Sequence, residues 1–170
     1  RSYKFGVTRN FVNAVDCILA DGRRVLVKRG HKITEPLLLD DGSEIEFPEI
    51  EYISPNCKNA AGYFIQPGMD WLDLFIGSDG TLGIFTKIVL SLLPRPADFV
   101  SGVLFFEDEH SCWKLIPKIK SFKGQKIAPC SLEYFDHNAL KKLKSKHQKI
   151  PHHSRAALFF EQDVAQLKDY

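Results

Sequence analysis

Read from the N-terminus, the hydrophobic pattern first becomes regular at Phe11–Leu19 ("FVNAVDCIL"), followed by "ADGRR" and Val25–Lys28. An Asp21-Gly22 pair between two apolar, β-rich runs predicts a β-hairpin, because glycine supplies the positive φ of a tight turn. The stretch "PLLLDDGSEIEFP" repeats the signal, with Asp41-Gly42 as the turn and alternation at Ile45 and Phe47. Ser54–Gly68 is rich in Pro, Asn and Gly and reads as loop. Met69–Phe75 ("MDWLDLF") has apolar residues at helical spacing over one or two turns. The run Ile84–Leu93, rich in Ile, Val, Thr and Leu and closed by Pro94 and Pro96, predicts a long, fully buried strand.

Beyond that proline pair the rhythm changes. Val100–Phe106 reads as a strand, and Glu109–Phe122 as an amphipathic helix with Trp113, Ile116, Ile119 and Phe122 on one face. Pro117 interrupts that helix. Ser131–Phe135 is strand-like, Asp136 is placed to cap a helix over His137–His147, and Ala156–Glu161 is a further strand. Val164 onward starts another helical pattern. This order predicts an α+β fold in two lobes meeting near Pro94–Ala97, the second a mixed sheet with helices on one face.

Composition adds little to that picture. The chain is 44% hydrophobic and 26% charged, ordinary for a soluble globular protein. Its formal net charge of +2 argues for neither a nucleic-acid partner nor a membrane surface. The basic run Lys141–Lys149 ("KKLKSKHQK") reads as a solvated helix face, and no apolar run approaches the ~18 residues of a membrane span. Cys17, Cys57, Cys112 and Cys130 show no metal-ligand spacing and read as free thiols of a reducing, cytoplasmic setting, with a peripheral membrane association of a longer protein left open. The chain opens on Arg1 in mid-pattern, so the natural N-terminus is expected upstream.

The candidate chemistry gathers at "IGSDGTLGIFTKIVLSLLPRP" (Ile76–Pro96), where Gly77, Gly80 and Gly83 bracket Ser78, Asp79 and Thr81. A glycine-dense turn either makes a bend or lets something approach the backbone closely. This one carries an acid, has no Lys or Arg between Trp71 and Leu82, and leads into a strand rather than a helix. It therefore suits the ribose or adenine end of a nucleotide better than a diphosphate. Arg9 reads equally as a ligand-side cation or a surface residue, and Lys58–Phe64 ("KNAAGYF") equally as a contact loop or as core packing of Tyr63 and Phe64. Glu133 reads as the outward residue of an alternating strand. His152 and His153 are adjacent and lack a third ligand at useful spacing, so no metal site is assigned.

The stretch "LDLFIGSDGTLGIFTKIVLSLLPRP" closely resembles the signature "LFxGSEGTLGIxTxxxLxLLPxP" of flavoprotein oxidoreductases of the vanillyl-alcohol oxidase type. The nearest branch is that of D-lactate dehydrogenases and the glycolate oxidase flavin subunit. "YKFGVTRNFVNAVDCILADGRRV", "SLEYFDHNAL" and "RAALFFEQD" are similar to further stretches of that family. The resemblance implies the C-terminal part of a PCMH-type FAD-binding domain over residues 1–96. Residues 97–170 would be the first part of a ferredoxin-like α+β substrate (cap) domain. Carried over residue by residue, the FAD contacts fall on Asp79, Gly80, Thr81, Leu82, Gly83 and Ile84, with Gly6 on another flavin-side stretch. Asp79 stands where the family commonly has Glu, and Phe5 where it usually has Tyr.

By the same resemblance, the family's diphosphate-binding loop would precede this segment, and its His-x-Gly-Asp-Gly-Asn-x-His catalytic and metal segment would follow. No catalytic residue is assigned within Arg1–Tyr170. The expectation is a central fragment of a FAD-dependent oxidoreductase that takes a hydride from a 2-hydroxy acid such as D-lactate or glycolate. Its electron acceptor is unidentified, and the rest of its own chain is needed to complete the site. The alternatives are a flavin-dependent transferase resembling alkylglycerone-phosphate synthase, and a non-catalytic binding module on the same scaffold. An isolated half-site is expected to expose apolar surface at Phe5, Phe11, Phe75 and Phe85.

Overall fold

The computed structural model describes residues 2–57, 59–122 and 127–163. The helix expected from Val164 onward and Lys58 of the contact loop lie outside the described residues. The fold is α+β. The chain divides into a unit Thr8–Leu93 and a second unit made of Pro94–Tyr170 with Arg1–Val7. The division anticipated near Pro94–Ala97 thus falls after Leu93, and the first residues group with the later part of the chain.

In the second unit's N-terminal piece, α1 (Ser2–Phe5) ends on Gly6, whose φ of 81° lets its N–H reach back to the Ser2 carbonyl at 3.0 Å. The first unit begins with a 3₁₀ turn, Thr8–Phe11, and β1 (Val12–Ile18), which pairs antiparallel with β2 (Arg24–Lys28). The Asp21-Gly22 turn closes this hairpin, Gly22 taking φ 88°. Asp41-Gly42 closes the shorter hairpin of β3 (Leu37–Leu38) and β4 (Glu44–Ile45). The loop through Gly68 is followed by α2 (Trp71–Phe75), and the glycine turn by β5 (Ile84–Leu90). The sheet order is β2-β1-β5, so β1 is central and is buried at Val12, Ala14, Val15 and Cys17. Its core partners are Val25, Val27, Leu37, Leu39, Trp71, Leu72 and Phe75.

One expectation about this unit fails. The strand after the glycine turn ends at Leu90 rather than Leu93, and it is largely exposed. Ile84 is 70% and Ile88 50% accessible. The reason is topological: β5 lies at the sheet edge and is covered by β1 on one side only, so apolar sequence does not become burial. The expected exposed aromatics fail as well. Phe75 is buried, with Phe85 packed near it at 6.5 Å between ring centroids, and Phe5 and Phe11 are half-buried.

The second unit continues with β6 (Phe99–Phe106), α3 (Glu109–Ser121), β7 (Ser131–Phe135), α4 (His137–Lys144) and β8 (Ala156–Asp163). The sheet is not mixed in its ladders: β8 lies between β6 and β7 and runs antiparallel to both. The α3 crossover returns β7 in the direction of β6, but β8 is inserted between them, as in a split β-α-β arrangement. Asp108 caps α3 by accepting from the Ser111 N–H at 2.8 Å, and Asp136 caps α4 by accepting from the Ala139 N–H at 2.7 Å. The α3 helix runs through Pro117, which has no N–H to donate to the Trp113 carbonyl one turn earlier. Cys112 of α3 packs with Ala156 and Leu158 of β8.

Candidate functional site

The glycine turn is built from its upstream helix. Asp70, only 5% exposed, is the N-cap of α2 and forms a capping box with Asp73. Its Oδ1 accepts from the Asp73 N–H at 3.0 Å and its Oδ2 from the Gly30 N–H at 2.9 Å. Arg29 Nη1 donates to Asp70 at 2.9 Å and to Asp73 at 2.7 Å, while its Nη2 donates to the Arg9 carbonyl at 2.9 Å. Burial pulls the Arg29 pKa down, but the bonds and charges of Asp73 and Asp70 outweigh it and hold the pKa above its ordinary value.

Arg9 closes the other end of the helix. Its guanidinium donates to the Asp73 carbonyl and, at 2.8 Å, to the Ile76 carbonyl, satisfying acceptors that a helix C-terminus leaves open. It lies over the Phe64 ring at 4.1 Å from the centroid. Burial lowers its pKa despite Asp73. Of the two readings of Arg9, the structure therefore shows an anchor of the turn's entry. Two arginines and two aspartates, charge-balanced and built around the buried Asp70, fix α2 against the start of β1 and the end of β2.

The turn itself follows. Gly77, Asp79, Gly80 and Gly83 all have positive φ, at 86°, 50°, 79° and 154°. Asp79 is the one such non-glycine residue among those described, and aspartate tolerates that region better than most side chains. The Thr81 N–H donates to the Ser78 carbonyl at 2.9 Å, and Thr81 Oγ1 donates to the same oxygen at 2.6 Å. Thr81 Oγ1 is also 2.6 Å from the Tyr63 hydroxyl, which brings the contact loop onto the turn. Tyr63 is thus not packed into the core, whereas Phe64 is held beneath Arg9.

Gly80 and Gly83 serve different ends. At Gly80 an added Cβ meets nothing within 4 Å, and Asp79, Gly80 and Thr81 are exposed, so the outside of the turn is open to an approaching group. At Gly83 an added Cβ would stand 2.5 Å from Cys17 Sγ and 2.5 Å from the Ile18 carbonyl oxygen. The glycine there is required by the end of β1, which occupies the space. Ser78 Oγ is buried without a hydrogen-bond partner, an orphan polar atom inside the turn.

Asp79, Gly80, Thr81, Leu82, Gly83 and Ile84 therefore sit together, with Leu82 packed on the core and Ile84 exposed. Gly6 belongs to the other unit, where its positive φ is accounted for by the end of α1. The sequence reading missed Arg29, Asp70 and Asp73. The signal was present as "DWLD", an N-cap acid followed three residues later by a second acid. In the other unit Glu133 is exposed as expected, and His153 Nε2 lies 3.6 Å from Glu107 Oε1 with both side chains exposed.

No protein-family model matches the chain. Curated relatives do. The glycolate oxidase subunit GlcD of Bacillus subtilis is 28% identical over 165 residues, 96% of this chain and 28% of that protein. A D-lactate dehydrogenase of Anaerostipes hadrus is 28% identical over 136 residues, 80% of this chain and 22% of its own length. The mitochondrial D-2-hydroxyglutarate dehydrogenase of Arabidopsis thaliana is 33% identical over 73 residues, 43% of this chain and 13% of that protein. The chain spans less than a third of the length of each of these relatives.

Proposed function

We propose that this chain, a relative of the FAD-linked hydroxy-acid oxidases and dehydrogenases, is the central portion of a FAD-dependent oxidoreductase acting on a small 2-hydroxy acid. The glycine turn is its contribution to the cofactor site. The observation that carries this is the pairing of an outward-open backbone at Asp79–Thr81 with the orphan Ser78 hydroxyl, within the motif that the resemblance covers. Exposed backbone at Gly80 allows a flat, polar ring or a ribose to approach to contact distance, and Asp79 supplies acceptors for hydroxyls. When bound, the flavin supplies the hydride-accepting chemistry, and this chain's residues hold and orient it. The Arg9–Asp73–Arg29–Asp70 cluster keeps the turn rigid enough to do so. Gly83 is the weaker member of the proposed contact set, since its side-chain space is taken by β1.

The test uses the product of the whole open reading frame. It is expected to carry the visible absorption of bound flavin, and Gly80→Val is expected to lose that absorption while retaining its circular dichroism. A folded, colourless product that takes up no added FAD overturns the flavin reading. Full flavin content in Gly80→Val overturns the role of the turn.

A further inference from the structure

We propose that the basic strip running from the end of α4 to the start of β8, residues 141–155, is a docking surface for a second copy of the protein. The occupant is that copy's acidic stretch, residues 40–51. The strip holds Lys141, Lys142, Lys144, Lys146, Lys149 and Arg155, together with three histidines and no acid. The stretch holds Asp40, Asp41, Glu44, Glu46, Glu49 and Glu51, and no Lys, Arg or His. Six charges of each sign thus stand apart in two short segments, and the net charge of +2 conceals both because they cancel.

Neither segment spends its charge locally. Lys141, Lys142, Lys146, Lys149 and Arg155 are exposed and have no ion pair with a described residue. Lys144 is used otherwise: its ammonium donates to the His152 and Ser154 carbonyls at 2.7 and 2.8 Å, which ties the loop to the helix and makes the strip one fixed surface. The macrodipole of α4 accounts for cations in its last turn, but Lys146, Lys149 and Arg155 lie beyond it. In the acidic stretch Asp40 and Asp41 accept from the Arg24 and Ser43 N–H groups. Glu44, Glu46, Glu49 and Glu51 are exposed and have no ion pair with a described residue. Phe47, edge-on to Trp71 at 5.7 Å between ring centroids, pins the stretch from within, and the Ser54 N–H on the Ile65 carbonyl at 2.8 Å pins the chain just after it. Ile50, Tyr52 and Ile53 stand exposed beside the glutamates, apolar surface of the kind found at the centre of protein interfaces.

Charge complementarity names the occupant. A nucleic acid or an anionic lipid surface would be drawn by one segment and repelled by the other, and the strip has no aromatic residue on which a base could stack. A second copy satisfies both segments with a single partner. The two surfaces are different, so the contact is heterologous. None of these residues belongs to the glycine turn, and the association needs no flavin, so this inference and the cofactor reading fail separately.

The test uses the product of the whole open reading frame in sedimentation equilibrium, over a concentration series at about 0.01 M and about 1 M salt, between which the Debye length falls from about 30 Å to about 3 Å. Self-association is expected at the lower salt and is expected to weaken at least about tenfold at the higher. Two triple variants locate it: Lys142→Glu with Lys146→Glu and Lys149→Glu, and Glu46→Lys with Glu49→Lys and Glu51→Lys. Each is expected to keep its circular dichroism and to lose the salt-labile association on its own. An equimolar mixture of the two is expected to recover it, because the mixture pairs an intact strip with an intact stretch. A product that is monomeric up to about 1 mM at the lower salt overturns the proposal, and pairing of the two segments within one copy would give the same result. Association that survives either triple substitution overturns it too, as does a mixture that fails to recover what the variants lost.

Discussion

The glycine turn and β5 are contiguous in sequence and belong to one motif, yet they are opposites in structure. Between Ile76 and Gly83 most backbone bends have an internal partner: Arg9 on the Ile76 carbonyl, Thr81 on Ser78, and β1 against Gly83. From Ile84 to Leu90 one edge and much of the side-chain surface have none among the described residues. The turn is finished by this chain. The outer edge of the strand is left open among the described residues. A run of apolar residues therefore does not by itself specify that its surface is buried.

The largest expected effect breaks the finished side. Gly83→Val places a β-branched side chain at φ 154° and inside contact distance of Cys17 and Ile18. The expected loss is about 3 kcal/mol or more in urea unfolding, seen with no ligand present. A wild-type midpoint in this variant would refute the packing role given to Gly83. Next, Asp70→Ala removes the α2 cap, the partner of the Gly30 N–H and one partner of Arg29. Since Asp70 is almost wholly buried and Arg29 about one-third exposed, a cost of about 2–3 kcal/mol is expected, with faster amide exchange in α2. Unchanged α2 protection would show that the cluster does not hold the turn. The smallest effect sharpens the contrast at the strand. Ile88→Thr in this chain is expected to change stability by no more than about 0.5 kcal/mol. Val15→Thr, one strand inward in the same row, is expected to cost about 1–3 kcal/mol. Equal costs at the two positions would mean that β5 is covered after all.

Local chemistry made much of this legible. Asp-Gly pairs fixed both hairpins, because the tight turn needs a residue free to take positive φ, and Gly22 and Gly42 do so. Asp136 announced α4, because an N-cap acid satisfies an otherwise open helix N–H. The same logic holds for Asp70 and α2, but in a helix of five residues the cap signal competes with apolar spacing too short to mark where the helix begins. The arginine cluster was out of reach for another reason: Arg9, Arg29 and Asp73 are brought together from three distant positions.

By itself the sequence determined the turns, the helix starts, the α+β rhythm and the motif that ties this chain to FAD-linked relatives. Each of these depends on a residue and its near neighbours. Only the tertiary structure decided that Gly83 is reserved for β1 while Gly80 opens outward, that β8 separates β6 from β7, and that β5 is an edge. Those outcomes depend on which strand lies beside which. A strand's hydrophobicity is the same whether its neighbour is present or not, so its place in the sheet is read from pairing and never from the strand alone.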